Sequence, residues 1–164
     1  MEDYRPNVAA IFRKPKNGKI LICQRKDHAG CWQFPQGGVD PGEDLIGALH
    51  REVEEEIGIL PHKYKLNSCR TGYRYKFPDG HLKKGRYCGQ EQTYFLCDYF
   101  GKKGEIILNN HVQEFRKSKW IHPSEFKLKW VPKFKEEVFR QVFKDFFDIT
   151  FSKEPQNNEN SFSV

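Results

Sequence analysis

Short runs of apolar residues in the first and central parts of the chain predict β-strands. Positions 8–12 and 19–24 are two such runs, rich in β-favouring residues, and a Lys-Pro-Lys-Asn-Gly turn separates them. They predict a hairpin or two neighbouring strands of one sheet. Further strands are predicted at 66–76, 91–99, 106–108 and 117–121.

Two other segments show the spacing of an amphipathic helix. The first covers 44–57, follows the helix-start sequence Asp-Pro-Gly-Glu and ends at Gly58. Its apolar positions recur every four residues, at Leu45, Leu49, Val53 and Ile57. The second covers 133–148, and one stripe of it is predicted to pack against the sheet. This stripe comprises Phe134, Val138, Gln141, Val142, Asp145 and Phe146.

Length and composition indicate a single globular domain. The chain has 164 residues, of which 37% are hydrophobic, enough for one core but not for a second domain. We predict a domain at 1–150 and a flexible tail at 151–164, where the sequence is mostly polar and has no period. The net charge of +6 favours a polyanionic partner, although such a balance also serves solubility alone.

The chain is expected to act in the cytoplasm and away from membranes. Its longest apolar runs fall far short of the roughly 18 residues that a membrane-spanning helix needs. The N-terminus shows no basic segment leading into an apolar one, as a secretory signal would. The 5 cysteines form no CxxC pair, which favours unpaired thiols in a reducing compartment.

The first predicted helix carries the most informative chemistry. Its sequence Arg-Glu-Val-Glu-Glu-Glu at 51–56 places Glu52, Glu55 and Glu56 within one turn of helix face. Glu52 and Glu56 lie within or beside the apolar arc, where a carboxylate is costly unless a positive charge meets it. The cluster is either a solvated helix face or a site for a hard divalent cation such as Mg²⁺. Its convergence towards the apolar face favours the cation.

The segment 37–59 resembles the signature of the Nudix hydrolase family, GX₅EX₇REUXEEXGU, in which U is an aliphatic residue. Gly37, Glu43 and the run at 51–59 match every fixed position of that signature. The resemblance implies an α/β protein with the Nudix fold, an α/β/α sandwich in which a mixed β-sheet lies between helices. It also implies hydrolysis of a nucleoside diphosphate linked to another group.

Segments outside the signature resemble one branch of the family, which contains bacterial RNA 5′-pyrophosphohydrolase and the plant-type dinucleoside polyphosphate hydrolases. They are Tyr-Arg-Pro-Asn-Val at 4–8, Trp-Gln-Phe-Pro-Gln-Gly-Gly at 32–38, which overlaps the start of the signature, Arg-Tyr-Lys at 74–76, Gly-Gln-Glu-Gln at 89–92, and Glu-Phe at 114–115 followed by Trp120. The branch implies removal of pyrophosphate or phosphate from triphosphorylated RNA 5′ ends, a reaction of mRNA decay. Two alternatives remain open: asymmetric hydrolysis of diadenosine tetraphosphate and its relatives, and a catalytically silent domain that binds nucleotide or RNA.

The resemblance also implies a metal site and its catalytic groups. The ligands of Mg²⁺, or of Mn²⁺, would be Gly37 through its carbonyl, Glu52, Glu55, Glu56 and Glu114. The general base would be Glu55 or, next in order, Glu114, for which an ordinary loop acid is the other interpretation. Arg51 would orient a ligand carboxylate rather than touch the substrate.

Substrate selection is expected from residues around the mouth of the site: Arg5, Arg25, Tyr75, Lys76, Gln92, Phe134 and Lys135. The basic members would grip a polyphosphate, Tyr75 and Phe134 would stack on a base, and Gln92 would bond phosphate or water. Phe134 has a second interpretation, core packing on the helix stripe. The Lys-rich segment 116–135 either steers RNA or is a solvated face, and the sequence leaves the oligomeric state open.

Overall fold

The computed structural model describes residues 2–102, 104–109 and 112–152. These residues form seven strands and two α-helices. In chain order they are β1 (Tyr4–Arg13), β2 (Ile20–Arg25), β3 (Trp32–Gln33), β4 (Gln36–Gly38), α1 (Leu45–Ile57), β5 (Tyr64–Lys76), β6 (Gly89–Tyr99), β7 (Phe115–Ile121) and α2 (Glu136–Phe147). Single 3₁₀ turns lie between several of them, and one of these, Lys133–Lys135, directly precedes α2.

The strands form one mixed sheet with β1 near its centre. β1 runs parallel to β6 and antiparallel to β4 and to the start of β2. β5 pairs with the other edge of β6, and β3 and β7 both pair with β2. This order places Asn7 between Gly38 on β4 and Gln92 on β6, so three distant segments of sequence meet at the start of β1.

Side chains of β1 alternate between the two faces of the sheet, and each face is covered by one helix. Val8, Ala10 and Phe12 pack with α1, whereas Ala9 and Ile11 pack with α2. All five are buried, which explains why the strand appears in the sequence as a continuous apolar run. The arrangement confirms the predicted α/β/α sandwich with a mixed sheet between helices.

Helix α1 ends at Gly58, as the sequence predicted, but its cap is Asp44, which was predicted to be the first helical residue. The side chain of Asp44 accepts a hydrogen bond from the backbone N–H of Gly47 at 2.7 Å and caps the helix. Gly58 has a φ of 69°, a left-handed conformation that favours glycine, and its N–H donates to the carbonyl of Glu54. The predicted helix at 44–57 is confirmed, although Leu45 in its first turn is 40% exposed.

The predicted strand at 106–108 is wrong. The segment is a loop, in which the backbone N–H of Ile107 donates to the carbonyl of Ile57 at 2.8 Å. Ile106 and Leu108 pack against the core on the α1 side of the sheet. These residues are apolar because the loop packs over the end of α1, and not because it forms a strand. The other predicted strands are confirmed.

The predicted stripe of the second helix is wrong in part. Phe134 lies in the 3₁₀ turn before α2, and a stripe that starts from it is rotated relative to the buried face. Gln141 is exposed as a result. The residues that α2 buries against the sheet are Val138, Phe139, Val142 and Phe143.

Most of the predicted tail, residues 153–164, lies outside the described residues. Phe151, at its start, packs against Phe143 with 5.2 Å between ring centroids and against Phe126 with 6.3 Å. The packed part of the domain therefore reaches at least this position. Across the described ranges, neither α-helix has the length and apolarity needed to cross a bilayer.

Candidate active site

The three glutamates on the acidic face of α1 differ in solvent exposure. Glu56 is 5% exposed, the side chain of Glu52 is 15% exposed and that of Glu55 is 44% exposed. Glu56 and Glu52 point towards the sheet because they lie beside the buried positions of the helix. The face therefore offers two largely buried carboxylates and one that water can reach.

Glu56 is an interior acid that faces a second acid. Its carboxyl group accepts a hydrogen bond from the backbone N–H of Gln36 at 3.1 Å, and the carboxyl group of Glu114 lies within hydrogen-bonding reach. Burial, the contact with Glu114 and the charge of Glu52 raise the pKa of Glu56 well above its usual value. No basic side chain in the described ranges forms an ion pair with Glu56. The position therefore requires a proton or a cation.

Gly37 leaves space for the carboxylate of Glu52. A Cβ atom at position 37 would lie 2.0 Å from Cδ of Glu52, far inside van der Waals contact. The backbone of β4 consequently packs directly on the acidic face of α1. Burial raises the pKa of Glu52, and the neighbouring Arg51 opposes this shift.

Arg51 fixes the carboxylates relative to the backbone. Its Nε donates to Glu43 at 2.7 Å, and its Nη2 donates to the carbonyl oxygen of Gly38 at 2.9 Å. Its Nη1 donates to Glu52 at 2.8 Å and to Glu55 at 3.4 Å. The guanidinium holds the pKa of Glu43 down, at about 2. The planar fork therefore joins β4, the segment before α1 and the acidic face, which a lysine could not do.

The donor set fits a hard divalent cation. Carboxylate oxygens are the ligands that Mg²⁺ and Mn²⁺ prefer, and the mutual repulsion of Glu52, Glu56 and Glu114 is what a cation would relieve. Among the described residues no three acidic, histidine or cysteine side chains are spaced as a complete cage. Mg²⁺ retains several waters and takes phosphate oxygens as ligands, so a complete protein cage is not required.

A chain of buried polar side chains supports Gln36 from the sheet. The Tyr94 hydroxyl donates to Gln92 at 3.2 Å, and the Gln92 amide donates to Asn7 at 2.9 Å. Asn7 in turn donates to the side chain of Gln36 at 2.8 Å. Gln92, which was predicted to bond phosphate or water, is 4% exposed, and its connection to the acids runs through Gln36.

Two cations lie close to the acids. The guanidinium of Arg5 covers Gly38, where an added Cβ would lie 2.2 Å from its Cζ. Lys83, in the loop between β5 and β6, is half-buried. Burial and the charge of Arg5 lower the pKa of its amine, whereas the charges of Glu114 and Glu52 raise it. Lys83 was not predicted from the sequence, although the Lys-Lys pair at 83–84 was a visible signal.

Lys135 joins these cations to an aromatic pair. Its ammonium lies 5.4 Å from the ring centroid of Tyr75 and 5.8 Å from that of Phe134. Burial and the charges of Arg25 and Lys83 lower the pKa of its amine. The two rings are 5.6 Å apart, and Phe134 is 36% exposed, so part of its ring is accessible. Three of the predicted substrate residues, Tyr75, Phe134 and Lys135, are thus brought together.

The remaining basic residues differ in their placement. Arg25 forms a two-point ion pair with Asp27 at 2.8 and 2.9 Å and still lines a cavity of about 260 Å³ with Lys135. Lys76 follows Tyr75 on β5, so it points to the opposite face of the sheet, where it pairs with Glu2. The structure therefore does not bring Lys76 to the aromatic pair.

The chain matches the NUDIX domain family over residues 3–142. It belongs to the Nudix family. This Nudix chain is 43% identical, over 143 residues, to a Helicobacter pylori (strain G27) protein named RNA pyrophosphohydrolase, and the match covers 85% of this chain and 90% of that relative. The predicted family and hydrolase class are thereby confirmed.

Solved structures show the Nudix fold. The E. coli dihydroneopterin triphosphate pyrophosphohydrolase superimposes with a TM-score of 0.66 at 20% identity, covering 88% of this chain and 97% of the other. A C. elegans Ap4A hydrolase in a binary complex gives 0.57 at 17% identity, covering 88% and 99%. The likeness at these identities is one of fold and confirms the predicted fold class.

Proposed function

We propose that this Nudix hydrolase removes pyrophosphate, or phosphate, from the triphosphorylated 5′ end of RNA. The observation that carries the proposal is the proximity of the acids to a basic rim, by which we mean Arg5, Arg25, Lys83 and Lys135. Glu52 and Glu114 act electrostatically on Lys83, and Lys83 acts on Lys135 beside the aromatic pair. A 5′ triphosphate followed by an unpaired base matches this order of groups. The relative named RNA pyrophosphohydrolase supports the same substrate.

The proposed metal ligands are the carboxylates of Glu52, Glu55, Glu56 and Glu114 together with the carbonyl of Gly37. Bound Mg²⁺ or Mn²⁺ supplies neutralisation of phosphate charge and a lowered pKa of the attacking water. Arg51 orients Glu52 for this role through its 2.8 Å hydrogen bond. The backbone N–H of Gln36 does the same for Glu56.

Glu55 is the proposed general base. Its side chain is the most exposed on the acidic face of α1, so a water molecule can approach it, whereas Glu56 is buried. Arg51 holds Glu52 more closely, at 2.8 Å, than it holds Glu55, at 3.4 Å. Glu55 takes a proton as the water oxygen bonds to phosphorus and the phosphoanhydride bond breaks. Pyrophosphate leaves, and RNA with a 5′ monophosphate remains. Glu114, which is also exposed, is the second candidate.

The rim residues have separate proposed tasks. Arg5 and Lys83 hold the phosphates next to the acids, and Lys135 and Arg25 hold the phosphates nearer the nucleoside. Phe134 presents ring surface to the base, whereas Tyr75, which was predicted to stack as well, is only 7% exposed and supports the Phe134 ring from the core. Tyr75 is itself fixed by a hydrogen bond from its hydroxyl to Gln90 at 2.6 Å, which keeps the aromatic pair in position.

The proposed substrate and the cysteines point to the same compartment. The described cysteines are unpaired, and Cys23, Cys31 and Cys97 are buried, as suits a reducing environment. We therefore place the enzyme in the cytoplasm, acting on RNA.

The test compares initial rates, with Mg²⁺ and at equal concentrations, on a short 5′-triphosphorylated RNA and on diadenosine tetraphosphate. We expect the RNA to be preferred by about tenfold or more in kcat/KM, because the rim holds a base next to a linear polyphosphate. A preference for the dinucleotide would contradict the proposal in favour of a dinucleoside polyphosphate hydrolase. Turnover of neither would favour a domain that only binds nucleotide or RNA.

A further inference from the structure

A second cavity lies beside the one that contains Arg25 and Lys135. It measures about 360 Å³ and lies between the 3₁₀ turn Leu128–Trp130 and α2. Lys129 lines both this cavity and the one that contains Arg25 and Lys135. The two cavities are therefore adjacent, and a chain that leaves the aromatic pair can continue past Lys129.

The second cavity is strongly basic. Four cations line it, namely Lys127, Lys129, Lys133 and Arg140, and we call this set the basic track. Glu136 is the one acid among its described lining residues. Within the described ranges none of the three lysines takes part in an ion pair, although eleven such pairs form elsewhere. A polyanion would relieve this crowding of positive charge.

The cavity also has apolar walls. Phe126 and Leu128 line it from one side, and Phe151 lines it from the end of the described chain. Arg140 donates to the carbonyl oxygen of Phe151 at 3.3 Å and so keeps this last wall next to the charges. Cations beside ring and aliphatic surfaces are the combination that holds the backbone and bases of a single strand.

We propose that the basic track binds single-stranded RNA downstream of the 5′ nucleotides held at the aromatic pair. The proposal rests on the proposed function and extends it to a second contact with the same RNA. Lys127, Lys129 and Lys133 contact phosphates, and the partly exposed Leu128 and Phe151 accept unpaired bases, whereas Phe126 is buried beneath them. Duplex RNA would not serve equally, because its bases are stacked inside the helix and cannot reach the walls.

The test replaces Lys127, Lys129 and Lys133 together by Ala and measures kcat/KM on two substrates. One is a 5′-triphosphorylated dinucleotide, which ends before the track, and the other is a triphosphorylated single strand of about 12 nucleotides. We expect a loss of about tenfold to a hundredfold on the longer RNA and less than about twofold on the dinucleotide. The dependence of log kcat/KM on log salt should become shallower by about two for the longer RNA alone, since each phosphate contact in a single strand contributes roughly 0.7.

A matched control removes the same charge elsewhere. Lys16, Lys65 and Lys102 are exposed, and all three lie around the end of β6 that is remote from Gln92. Their combined replacement by Ala should leave kcat/KM unchanged on both substrates. An equal loss in the control would show general charge steering and would overturn the proposal, as would an equal loss on dinucleotide and longer RNA.

Binding of an unphosphorylated single strand of about 12 nucleotides, followed by fluorescence anisotropy, separates this proposal from the proposed function. Weaker binding by the track variant but not by the control supports the track even if the wild-type chain hydrolyses no RNA. Hydrolysis of triphosphorylated RNA with no effect of the track variant on the longer substrate overturns the track and leaves the function standing. Competition by polyglutamate as effective as that by the RNA would overturn the assignment of RNA.

Discussion

The backbone N–H of Gln36 donates to a carboxylate oxygen of Glu56 across 3.1 Å, and through this bond the sheet reaches the acidic face of α1. Behind Gln36, the side chains of Asn7, Gln92 and Tyr94 continue the hydrogen bonds into the core. A buried carboxylate is thus positioned by the fold before any cation or substrate arrives. Such preorganisation is costly for stability, because Glu56 and Glu114 are two acids in contact.

Glu56→Gln should therefore stabilise the metal-free protein at neutral pH, by about 1–3 kcal/mol. The folded state raises the pKa of Glu56 above its usual value of 4.5. The protonated carboxyl is the form that suits the folded protein. The stability it provides is therefore fully present below pH 4.5 and is lost as the pH rises through the folded-state pKa. Denaturant unfolding in EDTA should show a small difference between the proteins near pH 4 and a growing advantage of the variant towards pH 8. A variant that is less stable, or a difference independent of pH, would contradict this reading of Glu56.

Gly37→Ala should abolish most of the activity while the fold survives. The added Cβ lies 2.0 Å from Cδ of Glu52, and the side-chain end of a glutamate can swing away without unfolding the core. We expect kcat to fall by about a hundredfold and the free energy of unfolding to change by less than about 1 kcal/mol. Gly30→Ala is the control, because its Cβ would meet ordinary contacts at 3.7 Å. Equal activity of the two variants would show that hydrolysis does not depend on the position of the Glu52 carboxylate.

Arg51→Lys should lower kcat by about tenfold to a hundredfold with little change in KM. The guanidinium joins Glu43, Glu52 and Gly38 at once, and an ammonium group cannot replace these bonds. Arg13→Lys offers a matched control, because Arg13 makes two hydrogen bonds to Asp98 at the opposite end of β1. Steady-state kinetics of both variants would decide, and a rise in KM alone for Arg51→Lys would indicate direct contact with substrate.

Phe134→Ala should weaken use of RNA without weakening the fold. The ring is 36% exposed and lies 5.6 Å from that of Tyr75, so its loss removes a surface for a base rather than a core contact. We expect kcat/KM on triphosphorylated RNA to fall by about tenfold, chiefly through KM, with unfolding changed by less than about 1 kcal/mol. Phe100→Ala is the control, since Phe100 is 62% exposed and lies just after β6. Destabilisation by more than about 2 kcal/mol would instead support the core-packing interpretation.

The acidic helix face could be read from the sequence because helix geometry alone fixes which side chains share a side. Glu52, Glu55 and Glu56 needed no tertiary information, and the strand and helix around them follow from local periodicity. The Lys-Lys pair at 83–84 is visible in the sequence, but its place near Glu114 is not, since a loop has no period and only the folded sheet brings the two segments near each other. The same reason explains the loop at 106–108, whose apolar residues are buried without forming a strand. Gln92 was predicted on the correct strand. Its hydrogen bond to Asn7 could not be predicted, because it depends on the pairing of β1 with β6 in the folded sheet.

The most direct test of the account is pyrophosphate release from triphosphorylated RNA in a single turnover, by the wild-type chain and by Glu56→Gln. Each protein is measured with Mg²⁺ and with EDTA, and RNA binding is followed in parallel. We predict release by the wild-type chain only with Mg²⁺, and a fall of at least about a hundredfold in the variant, whose RNA affinity changes by less than about threefold. Release by Glu56→Gln at the wild-type rate would contradict a role of this buried carboxylate in metal-dependent hydrolysis.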